Sequence, residues 1–153
     1  MVEYQILGNG VEYKVLFNDR IILTAKRKSK IFGDIVEFFD ERGEKIIRSR
    51  HRYLFFILVG LGHKITFFQT RKTYHTNSKK SNFNLLIEEK LYSIKGEVFG
   101  ESQYLLVNGE EEGCFSYRKS GLSSFEHKIC CKTESACFIF SVMDIINDWF
   151  GFS

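Results

Sequence analysis

The sequence predicts a mainly β protein, a closed antiparallel barrel of about 12 strands around a central hydrophobic C-terminal helix at about 134–150. Three observations predict it. Short runs in which apolar and polar residues alternate recur along most of the chain, each bounded by turn residues. The composition leans toward strands, with sixteen Phe, seven Tyr, no Pro, and Ala only at Ala25 and Ala136. One stretch near the C-terminus has no turn signal, and its first half is apolar around nearly its whole circumference when wound as a helix.

The chain of 153 residues fits one domain over 1–153, because typical domains run to roughly 100–200 residues. A composition 44% hydrophobic and 27% charged excludes a chain without a core. Average usage would give this length roughly seven or eight prolines. Proline cannot donate to a sheet ladder, and a barrel without open edges leaves few places for it.

The elements follow in order. Strands are expected near 3–7, 11–17, 20–27, 34–39, 44–50, 53–59, 63–69, 71–76, 82–88, 92–98, 102–107, 112–118 and 124–130, with one spurious split allowed among them. Alternation is clean where Val11, Tyr13, Val15 and Phe17 interleave with Glu12, Lys14 and Leu16, and where Tyr92, Ile94 and Val98 interleave with Ser93, Lys95 and Glu97. Hairpin turns are expected at Asn9-Gly10, Asn18-Asp19, Asp40 to Gly43, Gly60 to Gly62 and Asn108-Gly109, residues that tolerate positive φ. Thr133 is the expected N-cap of the helix, Glu134 suits the positive end of its dipole, and Gly151 follows its end. Its first half, Ala136 to Met143, is apolar on every side except at Ser141, so it must be buried all round. Polar groups return at Asp144, Asn147 and Asp148, where the helix is expected to emerge into water.

This arrangement resembles the tubby C-terminal-domain-like superfamily, which includes tubby-like proteins, LURP-one-related proteins, phospholipid scramblases and small bacterial relatives. The local resemblance is carried by Tyr13 to Arg20, by Ile35 to Ile47 with its Asp-Glu-Arg-Gly turn, by Ile94 to Gly100, by Tyr104 to Gly109 and by the final helix. It implies a binding scaffold of the scramblase-like, lipid-facing or protein-facing kind, built as a barrel around a helix. It carries over no individual residue. No acidic calcium loop of the D-x-D-x-D-G kind is present, so no calcium site is expected.

Basic residues cluster where strands end: Lys26, Arg27 and Lys28 with Lys30, then Arg48, Arg50 and Arg52, then Arg71 and Lys72, with further pairs at Lys79-Lys80 and Arg118-Lys119. The first three recur about every 22 residues, one hairpin plus its connection, so they are expected to gather as a basic rim at one end of the barrel. With Lys64 they form the expected site for anionic phospholipid or phosphoinositide headgroups. Tyr53 to Val59 reads as a strand apolar on both faces; with Phe55, Ile57 and Val59 inward, Leu54, Phe56 and Leu58 form an outward stripe. That stripe is expected either to enter a membrane interface or to meet a protein partner, a second copy included.

No catalytic motif, metal or cofactor is expected. His51, His63, His75 and His127 are singletons without HxH or HExxH spacing; the interval of twelve between the first three has no assigned role. Cys114, Cys130, Cys131 and Cys137 include no CxxC pair, and Cys130 and Cys131 face opposite sides of a strand, so free thiols are expected. A net charge of +3 does not predict nucleic-acid binding. The N-terminus lacks a basic segment followed by an apolar one, and no apolar run reaches the roughly 20 residues of a spanning helix. The expectation is therefore a non-enzymatic cytoplasmic protein, free or peripheral to a membrane. The alternative is a protein-interaction or regulatory module with no lipid ligand. A barrel filled by its own helix argues against a third role, as carrier of a small apolar molecule.

Overall fold

Alternating strands with short reversing turns pair most cheaply with their sequence neighbours, and that is what the chain does. The computed structural model describes residues 1–30, 33–54, 59–76, 82–96, 102–119 and 124–147. Among these residues there are twelve strands: β1 Val2–Gly8, β2 Glu12–Phe17, β3 Arg20–Lys30, β4 Gly33–Phe39, β5 Lys45–Leu54, β6 Val59–Phe67, β7 Lys72–His75, β8 Asn82–Ile87, β9 Lys90–Gly96, β10 Ser102–Val107, β11 Glu110–Lys119 and β12 Phe125–Cys131. The helix α1, Glu134–Asn147, follows. All ladders are antiparallel, and the sheet order β7-β6-β5-β4-β3-β2-β1-β12-β11-β10-β9-β8 is two meanders joined where β1 pairs with β12. A bridge from Thr76 to Leu85 draws the two outer strands together, so the sheet is a nearly closed barrel.

Turn chemistry explains three of the reversals. Asn18 and Asp19 at φ 51° and 63°, and Asn108 and Gly109 at 52° and 82°, are pairs of left-handed residues of the kind that matches strand twist in two-residue hairpins. Asp40 Oδ1 accepts hydrogen bonds from the backbone N–H groups of Arg42 and Glu44, both at 2.9 Å, and pre-forms the turn between β4 and β5. The expected turn at Gly60 to Gly62 is instead part of β6. Gly60 pairs with Tyr53 and His63 with His51, which leaves one extra residue on β6, and Gly62 at φ 85° absorbs that bulge.

The expected strand at 53–59 does not exist as one element. Tyr53 and Leu54 end β5, Val59 opens β6, and Leu54 and Val59 are antiparallel partners, so the chain reverses between them. The outward stripe drawn on it, Leu54, Phe56 and Leu58, falls on side chains outside the described ones. Val11 precedes β2 and is 58% exposed, and a register shift after Val15 leaves Leu16 and Phe17 both half-buried. Tyr92 and Ile94 are buried as expected, but so is Ser93 between them; Val98 lies outside the described residues.

The core lies between the wall and the helix. Tyr4, Tyr13, Phe38, Phe83 and Phe140 are its largest fully buried side chains, with Tyr92 edge-on to Phe140 at 5.6 Å. Every residue from Phe140 to Ile146 is buried, the signature of a helix surrounded on all sides. It packs against β1 and β12 on one side and β8 and β9 on another, so it runs inside the barrel. Asp144 corrects the expectation of a helix emerging into water: it is 7% exposed. Thr133 is the N-cap, its Oγ1 accepting from the Ala136 N–H at 3.3 Å. Thr133→Ala is expected to cost about 1 kcal/mol in urea unfolding, and Thr133→Ser almost nothing.

Candidate functional site

On a two-residue repeat, whatever faces out on one strand stands beside whatever faces out on the next, so register decides which charges meet. Two rows on the outer wall follow. Lys28, Ile35, Arg50, Lys64 and His75 are successive cross-strand partners from β3 to β7. Lys26, Glu37, Arg48, Thr66 and Thr73 form the adjacent row. Lys26, Lys28, Arg48, Arg50 and Lys64 are all exposed. Among the described residues Lys26, Arg48, Arg50 and Lys64 form no ion pair, so their charge is available to a ligand.

Glu37 is the carboxylate inside the two rows. Lys45 forms an ion pair with it, Lys28 approaches it at 3.4 Å, and it is 7% exposed. The Lys45 hydrogen bond outweighs burial and holds its carboxyl below the usual range, so Glu37 stays ionised and spaces the cations. Lys28 and Lys45 closing on its carboxylate go with the near-complete burial of this outward residue.

The expected rim is thus a wall, and not every basic residue joins it. Arg27 does not: it is 7% exposed and points into the barrel, because Leu23, Ala25 and Arg27 share the inward phase of β3. Arg71 and Lys72 stand in and beside the turn from β6 to β7, at the other end of these strands, where Lys72 meets Glu88 at 3.1 Å. Lys30 and Arg52 belong to β3 and β5 by their backbones, and their side chains lie outside the described ones, as does that of Leu54. Phe56 and Leu58, the rest of the expected interface, lie outside the described residues, as do Lys79 and Lys80.

A second constellation fills the barrel interior beneath the wall. Arg27 Nη2 donates to the carbonyl of Ile145 at 2.6 Å and reaches that of Ile146 at 3.4 Å. Its Nη1 meets Asp34 Oδ2 at 3.4 Å and its Nε donates to the Tyr13 hydroxyl at 3.3 Å. The last turn of α1 carries no basic residue of its own, so a strand supplies the cation that its dipole favours. Nearby, the rings of His51 and His63 stack at 4.3 Å, with Phe83 edge-on to His63. Burial lowers both imidazole pKa values, that of His63 to about 3, and the Arg27 charge lowers them further. Further along, His127 Nδ1 and Asp144 Oδ2 share a hydrogen bond at 2.6 Å, with the rings of Phe125 and Phe115 against the imidazole. Arg27 and His127 thus tie the helix to β3 and β12. Among the described residues no three or more His, Cys, Asp or Glu are grouped to hold a metal ion.

The histidine spacing of twelve did carry information: it is the length of one hairpin at this register, which makes His51 and His63 partners and puts His75 on the outer face beside Lys64. All four cysteines are free.

Fold and surface together define a helix-filled antiparallel barrel with one cationic wall. No family model, curated protein or solved structure matches the chain. No helix among the described residues is long and apolar enough to cross a membrane.

Proposed function

We propose that this protein is a non-enzymatic scaffold of the tubby-like kind that docks on anionic phospholipid surfaces, phosphoinositides included, through the wall formed by Lys26, Lys28, Arg48, Arg50 and Lys64. The observation that carries this reading is register: residues scattered from 26 to 64 in sequence stand as neighbours on one exposed face. Each basic group near an anionic bilayer contributes about 1 kcal/mol, so five give an attraction of roughly 5 kcal/mol at most. That attraction falls off within about 8 Å at physiological salt, so the wall must lie flat on the headgroups to use it. A sheet face does so more readily than a rim of loops. The sequence resemblance to the tubby superfamily, which implies a lipid-facing or protein-facing scaffold, supports this reading, and the interior occupied by its own helix supports binding outside rather than within.

Vesicle co-sedimentation tests the reading. Pelleting is expected with vesicles carrying phosphatidylserine or a phosphoinositide, not with phosphatidylcholine alone, and is expected to be lost in high salt. Arg48→Glu with Arg50→Glu should weaken binding about tenfold or more while leaving the melting temperature within a few degrees, since both side chains are exposed. Equal pelleting on neutral and anionic vesicles, or retention by the double variant, overturns it.

A further inference from the structure

The four cysteines fall into two pairs in space. Cys131 and Cys137 are both fully buried in the core, where Cys137 Sγ donates to the Ile129 carbonyl at 3.4 Å and reaches that of Val2 at 3.9 Å. Cys114 of β11 and Cys130 of β12 are direct antiparallel partners on the outer face. Cys114 is exposed and Cys130 half-buried. The Lys132 N–H donates to the Glu112 carbonyl at 3.2 Å, which makes 112 and 132 a hydrogen-bonded pair and, two residues along the ladder, 114 and 130 another.

Such pairs hold their Cα atoms about 5.5 Å apart, within the roughly 4.4–6.8 Å that a disulfide spans. Their Cβ atoms stand about 4.5–5.5 Å apart, wider than the relaxed value near 3.8 Å, so a bond across them forms under strain and is readily reduced. The two thiols also differ. Cys130 Sγ donates to Glu3 Oε2 at 3.4 Å, and burial with that carboxylate pushes its thiol up to about 11. Cys114, which is exposed, lines an open surface pocket of about 300 Å³ with Met1, Glu111, Glu112, Gly113 and Lys132, room for a small molecule beside it.

We propose that Cys114 and Cys130 form a reversible dithiol site whose substrate is a low-molecular-weight disulfide of the glutathione type. Cys114 gives up its thiol proton to water and attacks one sulfur of that disulfide, forming a mixed disulfide and releasing one thiolate, which takes a proton back from water. Cys130 then attacks the Cys114 sulfur, its proton passing by way of Glu3 to the second departing thiolate. The balance is one small disulfide consumed, two small thiols released and one Cys114–Cys130 bond formed, with β11 stapled to β12.

Intact mass and peptide mapping after incubation of the native protein with oxidised glutathione test this. The wild type is expected to lose two hydrogens, to yield a peptide linked through positions 114 and 130, and to revert on addition of reduced glutathione. Cys130→Ser, or Cys130→Ala should that variant not fold, is expected to stop at one glutathione on Cys114. Cys114→Ser is expected to stay unmodified at position 130. A wild type that halts at the glutathione adduct, remains fully reduced, or links any other pair of cysteines overturns the proposal.

Discussion

Arg27→Met is expected to lower the unfolding free energy by about 3–5 kcal/mol. The reason lies in what the guanidinium leaves behind. Asp34, 6% exposed, loses its cation, and the carbonyls of Ile145 and Ile146 lose a charged donor at the helix end. A loss of this size corresponds to roughly 10 °C in melting temperature for a chain of this length. Arg27→Lys is expected to recover only part of it, because one ammonium cannot reach Asp34, Tyr13 and the helix carbonyls in the forked geometry that Arg uses. Adding Asp34→Asn to Arg27→Met should restore a measurable share by removing the uncompensated charge. Urea unfolding of the three variants decides the matter; an Arg27→Met protein as stable as the wild type would mean that the buried cation contributes nothing net.

Acid is expected to unfold the protein through His63 and His51. The folded pKa of His63 is depressed to about 3, below the ordinary 6.5 that it regains on unfolding. A lowered imidazole pKa means that the unfolded chain binds the proton more readily, so the stability that neutral His63 contributes is present above about pH 6.5 and is lost progressively as pH falls toward 3. The full span corresponds to roughly 5 kcal/mol as an upper bound. His51 acts in the same direction; burial and Arg27 disfavour its charge, and Asp34 opposes them in part. Glu37 adds a smaller loss at lower pH, since its carboxyl is held down by Lys45. Denaturant midpoints measured from pH 7.5 to 4 should therefore fall steeply for the wild type and less steeply for His63→Phe, which keeps an aromatic ring against His51 and Phe83. Parallel profiles for the two proteins would assign the acid sensitivity to other groups.

Much of the fold was legible from period and turn chemistry alone. Strand alternation, the asparagine and glycine turns and a helix apolar on every side together require a sheet curled around that helix, because no flat arrangement buries such a helix. Reading failed where one residue had two uses. Gly60 and Gly62 look like a turn because positive φ serves a turn and a β-bulge equally. Tyr53 to Val59 looks like a strand because apolar residues continue through a reversal of the chain. Asp144 looks like a surface group because nothing near it in sequence shows that His127, seventeen residues away, will bond to it.

The basic residues draw the boundary most clearly. Their types, and their recurrence at hairpin spacing, belong to the sequence, and so does the alternation that puts Arg27 in phase with Leu23 and Ala25 and out of phase with Lys26 and Lys28. Which strands lie side by side, and by how many residues they are offset, belongs to the tertiary structure. A shift of one residue between β4 and β5 would turn Arg48 and Arg50 inward and dissolve the wall. The same offset made partners of His51 and His63 and of Cys114 and Cys130, pairs separated by twelve and sixteen residues that share no local motif. Local chemistry determined the elements of this protein. Register, set by the whole closing barrel and the helix inside it, decided which side chains meet and hence what the surface can bind.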